Sequence, residues 1–151
     1  MDQKKLDQQS QHWEKSFSNK PEMFGSEPSY SAKIALENFK NNNVKHILEL
    51  GAGLGRDTIF FAKNSIKVTA LDYSPTAVEI IKNKTNSLGL GDLIKVQTHD
   101  LRQKLNFTDN SFDGCYSHML YCMAFTYSEL ENLNTEVCRV CLLYTSDAAD
   151  E

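Results

Sequence analysis

The sequence predicts an α/β fold, a doubly wound and mainly parallel sheet with helices on both faces. Three observations carry that expectation. Apolar, β-branched runs of strand length alternate with segments of helical spacing along most of the chain. The stretch HILELGAGLGRDTIFFA (46–62) sets one apolar run against three glycines and then a second apolar run. At 151 residues the chain suffices for one domain with a sizeable core and is too short for two ordinary ones.

Each element has its own justification. Residues 4–19 are polar apart from Leu6, Trp13 and Phe17 and read as a short helix over a cleft. KPEMFGSEPSYS (20–31) is broken by Pro21, Gly25 and Pro28 and reads as a loop. Trp13 and Phe24 are candidates either for a lid or for a patch on the sheet. From Ser31, Ile34, Leu36 and Phe39 lie near helical spacing until an asparagine cluster stops the helix. Residues 44–50 suit a buried strand, and 56–64 continue as a helix beyond the glycines. IKVTALD (66–72) is a β-branched strand, followed by a helix that opens at Ser74–Pro75 and stops at Gly89. LIKVQTHD (93–100) is a third strand, a fourth ends near Ser117, and a helix spans 128–140.

Composition narrows the function. A 40% hydrophobic and 24% charged chain matches ordinary globular proteins. No run approaches the roughly 20 apolar residues of a membrane helix. The first residues are polar, with no apolar signal core, so the expected setting is cytoplasmic, away from membranes. A formal charge of −4 gives no basic footprint, and no nucleic-acid partner is expected. Cys115, Cys122, Cys138 and Cys141 crowd the last quarter and do not form a disulfide framework.

The glycine loop points to a ligand. In open parallel sheets, ligands sit where a strand turns into its helix, and Gly51, Gly53 and Gly55 fall at that turn. Without side chains they admit a ligand against the main chain, near the amides that open the helix. The bland alternative is a tight turn with no ligand. A dinucleotide loop reads G-x-G-x-x-G and holds a pyrophosphate; here the run is G-A-G-L-G, preceded by Glu49. A carboxylate there repels a pyrophosphate and suits positive charge. Asp72 ends the second strand, where a carboxylate can accept ribose hydroxyls. Asp100 ends the third, within reach of an adenine amino group. Three acids at successive strand ends suit a cationic, phosphate-free nucleoside.

ILELGAGLGRDTIFFA, VTALDYSP, VQTHDL and FDGCYSHMLY, in that order, resemble the successive motifs of class I S-adenosylmethionine-dependent methyltransferases. The resemblance covers roughly residues 10–140. The GRDT continuation and the HWEKSF…MFG…PS leader look most like small-molecule methyltransferases of the tellurite-resistance and thiopurine type. The resemblance implies a Rossmann-like sheet of seven strands, of which the sequence offers about four. It also implies S-adenosylmethionine as cofactor and a small-molecule methyl acceptor. By the same resemblance, Glu49, Gly51, Ala52, Gly53 and Gly55 pass along the methionine part of the cofactor. Asp72 takes the ribose, Tyr73 packs on the adenine, and Asp100 with Leu101 reads it. Ser117 and His118 lie next to the transferable methyl group.

The sulfonium methyl is already activated, so positioning the nucleophile is the main demand. His118 is the candidate general base should the acceptor be a hydroxyl, with packing as the alternative. Tyr116, Tyr121, Phe125 and Tyr127 are candidates to line a substrate pocket, or for the core. Asp57 complements the helix dipole and is expected to be structural; Arg56 is undecided. The competing functions are a nicotinamide-dependent Rossmann oxidoreductase and a cofactor-binding module without catalysis.

The chain accordingly divides into an N-terminal helix and lid-like loop (1–30), a partial cofactor-binding methyltransferase domain (31–140) and a tail (141–151). The tail, CLLYTSDAADE, matches one reading frame of a common transposon-based sequencing adapter and is expected to be non-native. Cys138 and Cys141 then make no redox or metal motif, and no metal site is expected. Without the three acids of the tail, the rest carries 17 acids against 16 bases. The fourth strand is expected to be an open edge, and the chain to be poorly stable and at best weakly active.

Overall fold

A computed structural model of the protein describes residues 3–121 and 123–146. The elements are α1 (Gln3–Asn19), α2 (Tyr30–Asn41), β1 (His46–Leu50), α3 (Arg56–Lys63), β2 (Lys67–Asp72), α4 (Pro75–Ser87), β3 (Ile94–Thr98), β4 (Phe112–Ser117), α5 (Tyr127–Val140) and β5 (Cys141–Ser146). The helices start where the side chains supply missing acceptors. Ser29 caps α2 by accepting from the Ala32 amide, and Ser74 caps α4 by accepting from the Ala77 amide. A capping box pairs Thr126 with Glu129 at the start of α5.

All strand pairings are parallel, in the order β3-β2-β1-β4-β5. The chain winds outward from β1 to β3, then crosses back to β4, so the winding reverses between β1 and β4. A crevice opens there at the carboxyl ends, the position where such sheets bind ligands.

Strand alternation distributes the core. Ile47 of β1 packs with Phe39 of α2 and Phe61 of α3, while Leu48 and Leu50 pack with Leu133 and Val137 of α5 on the other face. Burying each of these large side chains contributes roughly 1.5–3 kcal/mol. Glu49 shares the face of Ile47, and this puts its carboxyl group beside α3.

The strand count differs from the expectation. Among the described residues the sheet has five strands rather than four, and β4 is not an open edge. Residues 141–146 pair with it in register from Phe112↔Cys141 to Ser117↔Ser146. The physical reason is the unpaired row of N–H and C=O groups along β4, which recruits the β-prone segment emerging directly from α5. Residues 147–151 of the tail lie outside the described residues. Among the described residues no helix is long and apolar enough to cross a membrane.

Candidate active site

The loop after β1 turns on residues with left-handed backbone: φ is +70° at Gly51, +57° at Gly53 and +82° at Gly55. Two of these glycines also answer a close approach. A Cβ on Gly55 would lie 2.7 Å from Ile81 Cγ1 of α4, and one on Gly51 would lie 3.1 Å from Leu120 Cδ1. Lys84 Nζ of α4 donates to the Leu54 carbonyl at 3.0 Å and fixes the loop from behind.

Two adjoining cavities open over this loop. The larger, about 250 Å³, is lined by Glu49, Gly51, Ala52, Gly53, Asp72, Tyr73 and His118 among the residues expected from sequence. The smaller, about 60 Å³, shares Gly51, Asp72 and Tyr73 and adds Asp100 and Leu101. The strand-end acids therefore converge on one side of the fold. Gly55 and Ser117 line neither cavity: Gly55 packs on Ile81, and Ser117 is a buried strand residue paired with Leu50 and Ser146.

The acids differ in their partners. Glu49 is 3% exposed and its Oε2 accepts from Thr58 Oγ1 at 2.6 Å. Burial, reinforced by Asp57 and Asp72 nearby, pushes its pKa up to about 8, against the pull of the Thr58 hydrogen bond. Asp72 is 4% exposed; Oδ2 accepts from the Gly53 amide at 2.8 Å and Oδ1 from the Ser74 amide at 2.9 Å. It thus clamps the glycine loop, and burial raises its pKa despite those two donors. Burial pushes Asp100 upward too, but the Arg102 side chain, with Nη2 2.7 Å from Oδ2, outweighs it and holds Asp100 below the usual range.

Asp57 is tied to structure. It accepts from the Ser29 amide and hydroxyl, both at 2.8 Å, and from Tyr116 OH at 2.9 Å. Tyr116 is buried in this network rather than in the cleft, and Tyr127 is 78% exposed on α5. Tyr121 packs on the α5 core and donates to Asn134 Oδ1 at 3.1 Å. Of the four aromatics considered as pocket residues, Phe125 alone lines a cavity, the smaller one.

Helix α1 roofs the cleft, and sequence reasoning missed most of how it does so. The Ala124 amide donates to Gln9 Oε1 at 2.8 Å, and Tyr73 OH donates to the Gln9 carbonyl at 3.3 Å. Glu14 accepts from the hydroxyls of Ser74 and Thr76, hydrogen bonds that outweigh burial and keep its pKa low. Trp13 stacks on Phe17, and both line the larger cavity. The available signal was the four-residue spacing of Gln9, Trp13 and Phe17, which puts them on one helical face. Leu120 and Met123, which line both cavities, carried no local signal.

The residues suit a nucleoside with a cationic tail. The loop backbone is bare, buried carboxylates stand at the floor, and His99, which lines the smaller cavity, has a buried Nε2 without a partner among the described residues. Comparison with known proteins points the same way. The methyltransferase domain family matches residues 47–142. A sterol 4-C-methyltransferase of Caenorhabditis elegans is 30% identical over 95 residues, which are 63% of this chain and 27% of that protein. Among solved structures, a putative S-adenosyl-L-methionine-dependent methyltransferase of Methanococcus maripaludis superposes with a TM-score of 0.65 at 20% identity, covering 77% of this chain and 55% of its own. Coclaurine N-methyltransferase bound to N-methylheliamine and SAH gives 0.57 at 20% identity, covering 74% and 34%. The chain thus spans about a quarter of that curated relative and about half of the first of these structures.

Proposed function

The chain belongs to the methyltransferase domain family, and from that premise we propose that it binds S-adenosylmethionine over the β1–α3 loop and methylates a small-molecule acceptor. The observation that carries this reading is the convergence of Glu49, Asp72 and the glycine loop on one cavity. Glu49 would hold the ammonium end, Asp72 the ribose hydroxyls, and Tyr73, Leu101 and the Asp100 region the base. The cofactor, when bound, supplies an electrophilic methyl group on a sulfonium.

The chain's own residues then position and shield. Trp13 and Phe17 exclude water from the larger cavity and offer ring faces to positive charge. His118, on the wall of the same cavity, is the group placed to take a proton from an acceptor hydroxyl or amine. Holding an acceptor in line supplies roughly 7–11 kcal/mol of barrier lowering without further chemistry. A cytoplasmic setting is part of the same proposal, supported by the polar start of the sequence, which has no apolar signal core. The division into a roofing segment (1–30), a cofactor domain (31–140) and an appended tail (141–151) is part of the same proposal.

Titration calorimetry tests it. S-adenosylhomocysteine should bind and NAD should not, and Asp72→Ala should weaken that binding at least about 100-fold, since it removes both a ligand acceptor and the loop clamp. Binding of NAD alone would overturn the reading.

A further inference from the structure

Arg56 is the cavity's unexplained charge. It opens α3, is half-buried, and lines the larger cavity. No carboxylate pairs with it among the described residues, although three acids line the same cavity. Those acids are engaged elsewhere: Asp57 by Ser29 and Tyr116, Asp72 by two amides, Glu49 by Thr58. The guanidinium instead lies over the Phe24 ring, 5.5 Å from its centroid. Phe24 is 39% exposed, so this stack stands at the rim, away from the buried floor marked by Glu49. The cavity's other cation-capable side chain is His118, and most of the remaining wall is apolar: Trp13, Phe17, Met119, Leu120 and Met123.

A half-buried guanidinium without an anion forgoes its strongest interaction, the bidentate pair with a carboxylate. Cation–π attraction to the ring holds the guanidinium near the rim while leaving its N–H groups available. We propose that Arg56 is a specificity-determining residue for the methyl acceptor, and that the acceptor is an apolar, ring-sized molecule carrying a carboxylate. The apolar wall takes the body of the molecule, and Arg56 takes its anionic end at the rim. This placement leaves the acceptor's nucleophile facing inward, toward His118 and the loop. The assignment rests on the proposed function for the identity of the reaction, though not for the recognition itself. The cofactor's own carboxylate is the competing claimant for Arg56. Sharing a carbon with the ammonium group, it would lie beside the buried Glu49, whereas the guanidinium lies over Phe24 at the rim.

The test uses the full chain and two probes of equal size, 4-phenylbutyrate and 4-phenylbutanamide. Trp13 is the sole tryptophan and lines the cavity, so its fluorescence reports occupancy. With S-adenosylhomocysteine present, the acid should bind at least about tenfold more tightly than the amide. Arg56→Met should bring the acid to the level of the amide while leaving S-adenosylhomocysteine affinity within about twofold; Arg56→Lys should keep part of the preference. Equal binding of acid and amide to the unaltered protein overturns the proposal. So does an Arg56→Met variant that loses S-adenosylhomocysteine as severely as the acid, which would give the guanidinium to the cofactor. If S-adenosylhomocysteine does not bind at all, the proposed function fails, and the acid-to-amide ratio measured without it still decides the role of Arg56.

Discussion

Glu49 is held where burial and a ligand's charge pull in opposite directions. Its carboxyl is pushed to about pH 8, so the folded protein keeps the proton that the unfolded chain gives up near its ordinary pKa. Between those values the folded state binds more protons, and stability is present in full on the acid side and lost as pH rises through 8. Asp72 shifts in the same direction, whereas Glu14 and Glu136 are lowered and act only in more acidic solution. The thermal midpoint should therefore fall between about pH 5 and pH 9, and Glu49→Gln should flatten that fall. A cation bound beside Glu49 reverses the balance and expels the proton. Calorimetry of S-adenosylhomocysteine near pH 7, in two buffers of different ionisation heat, should show proton release in the native protein and little in Glu49→Gln. Identical heats in both buffers would mean that Glu49 does not meet the ammonium group.

At the level of elements, the cleft depends on how closely α4 backs the glycine loop. Gly55 begins α3 in the left-handed region with no side-chain cap, and its missing Cβ is the space that Ile81 occupies. Gly55→Ala should cost roughly 2–4 kcal/mol, part for the left-handed backbone and part for the overlap with Ile81. Gly89 provides the control, because its φ is +66° and nothing lies within 4 Å of an added Cβ. Gly89→Ala should cost only the backbone part, about 1–2 kcal/mol. Urea unfolding of the two variants separates the terms, and equal losses would show that Ile81 yields freely. On the opposite side of the cleft, α1 is held by polar anchors to the start of α4 and to the 123–124 loop. It roofs the site through these hydrogen bonds together with apolar packing of Trp13 and Phe17 against Leu54 and Ala77.

For the whole molecule, the sheet's integrity on the β4 side rests on the segment 141–146. Deleting 141–151 should expose the β4 ladder, lower the melting midpoint and bring on concentration-dependent aggregation, since each lost ladder hydrogen bond is worth about 1 kcal/mol net. Unchanged melting and light scattering would show that β5 adds nothing to the folded unit. The four-strand expectation fails because residues 141–146 pair with β4, and an edge pairs with whatever β-prone backbone reaches it. The helices and strands themselves were legible from residue periods, caps and glycines, and the Glu49, Asp72 and Asp100 strand ends from their spacing. Those signals are local: a period of two or near four, a Ser before a Pro, a bare turn after an apolar run. What the chain order determined by itself was a parallel α/β sheet with acids at its carboxyl ends. Tertiary packing decided that Tyr116 turns to Asp57 while Leu120 and Met123 face the loop, and that Gln9 reaches Ala124. Strand register and helix docking set those contacts between residues far apart in the chain, and no local period encodes them.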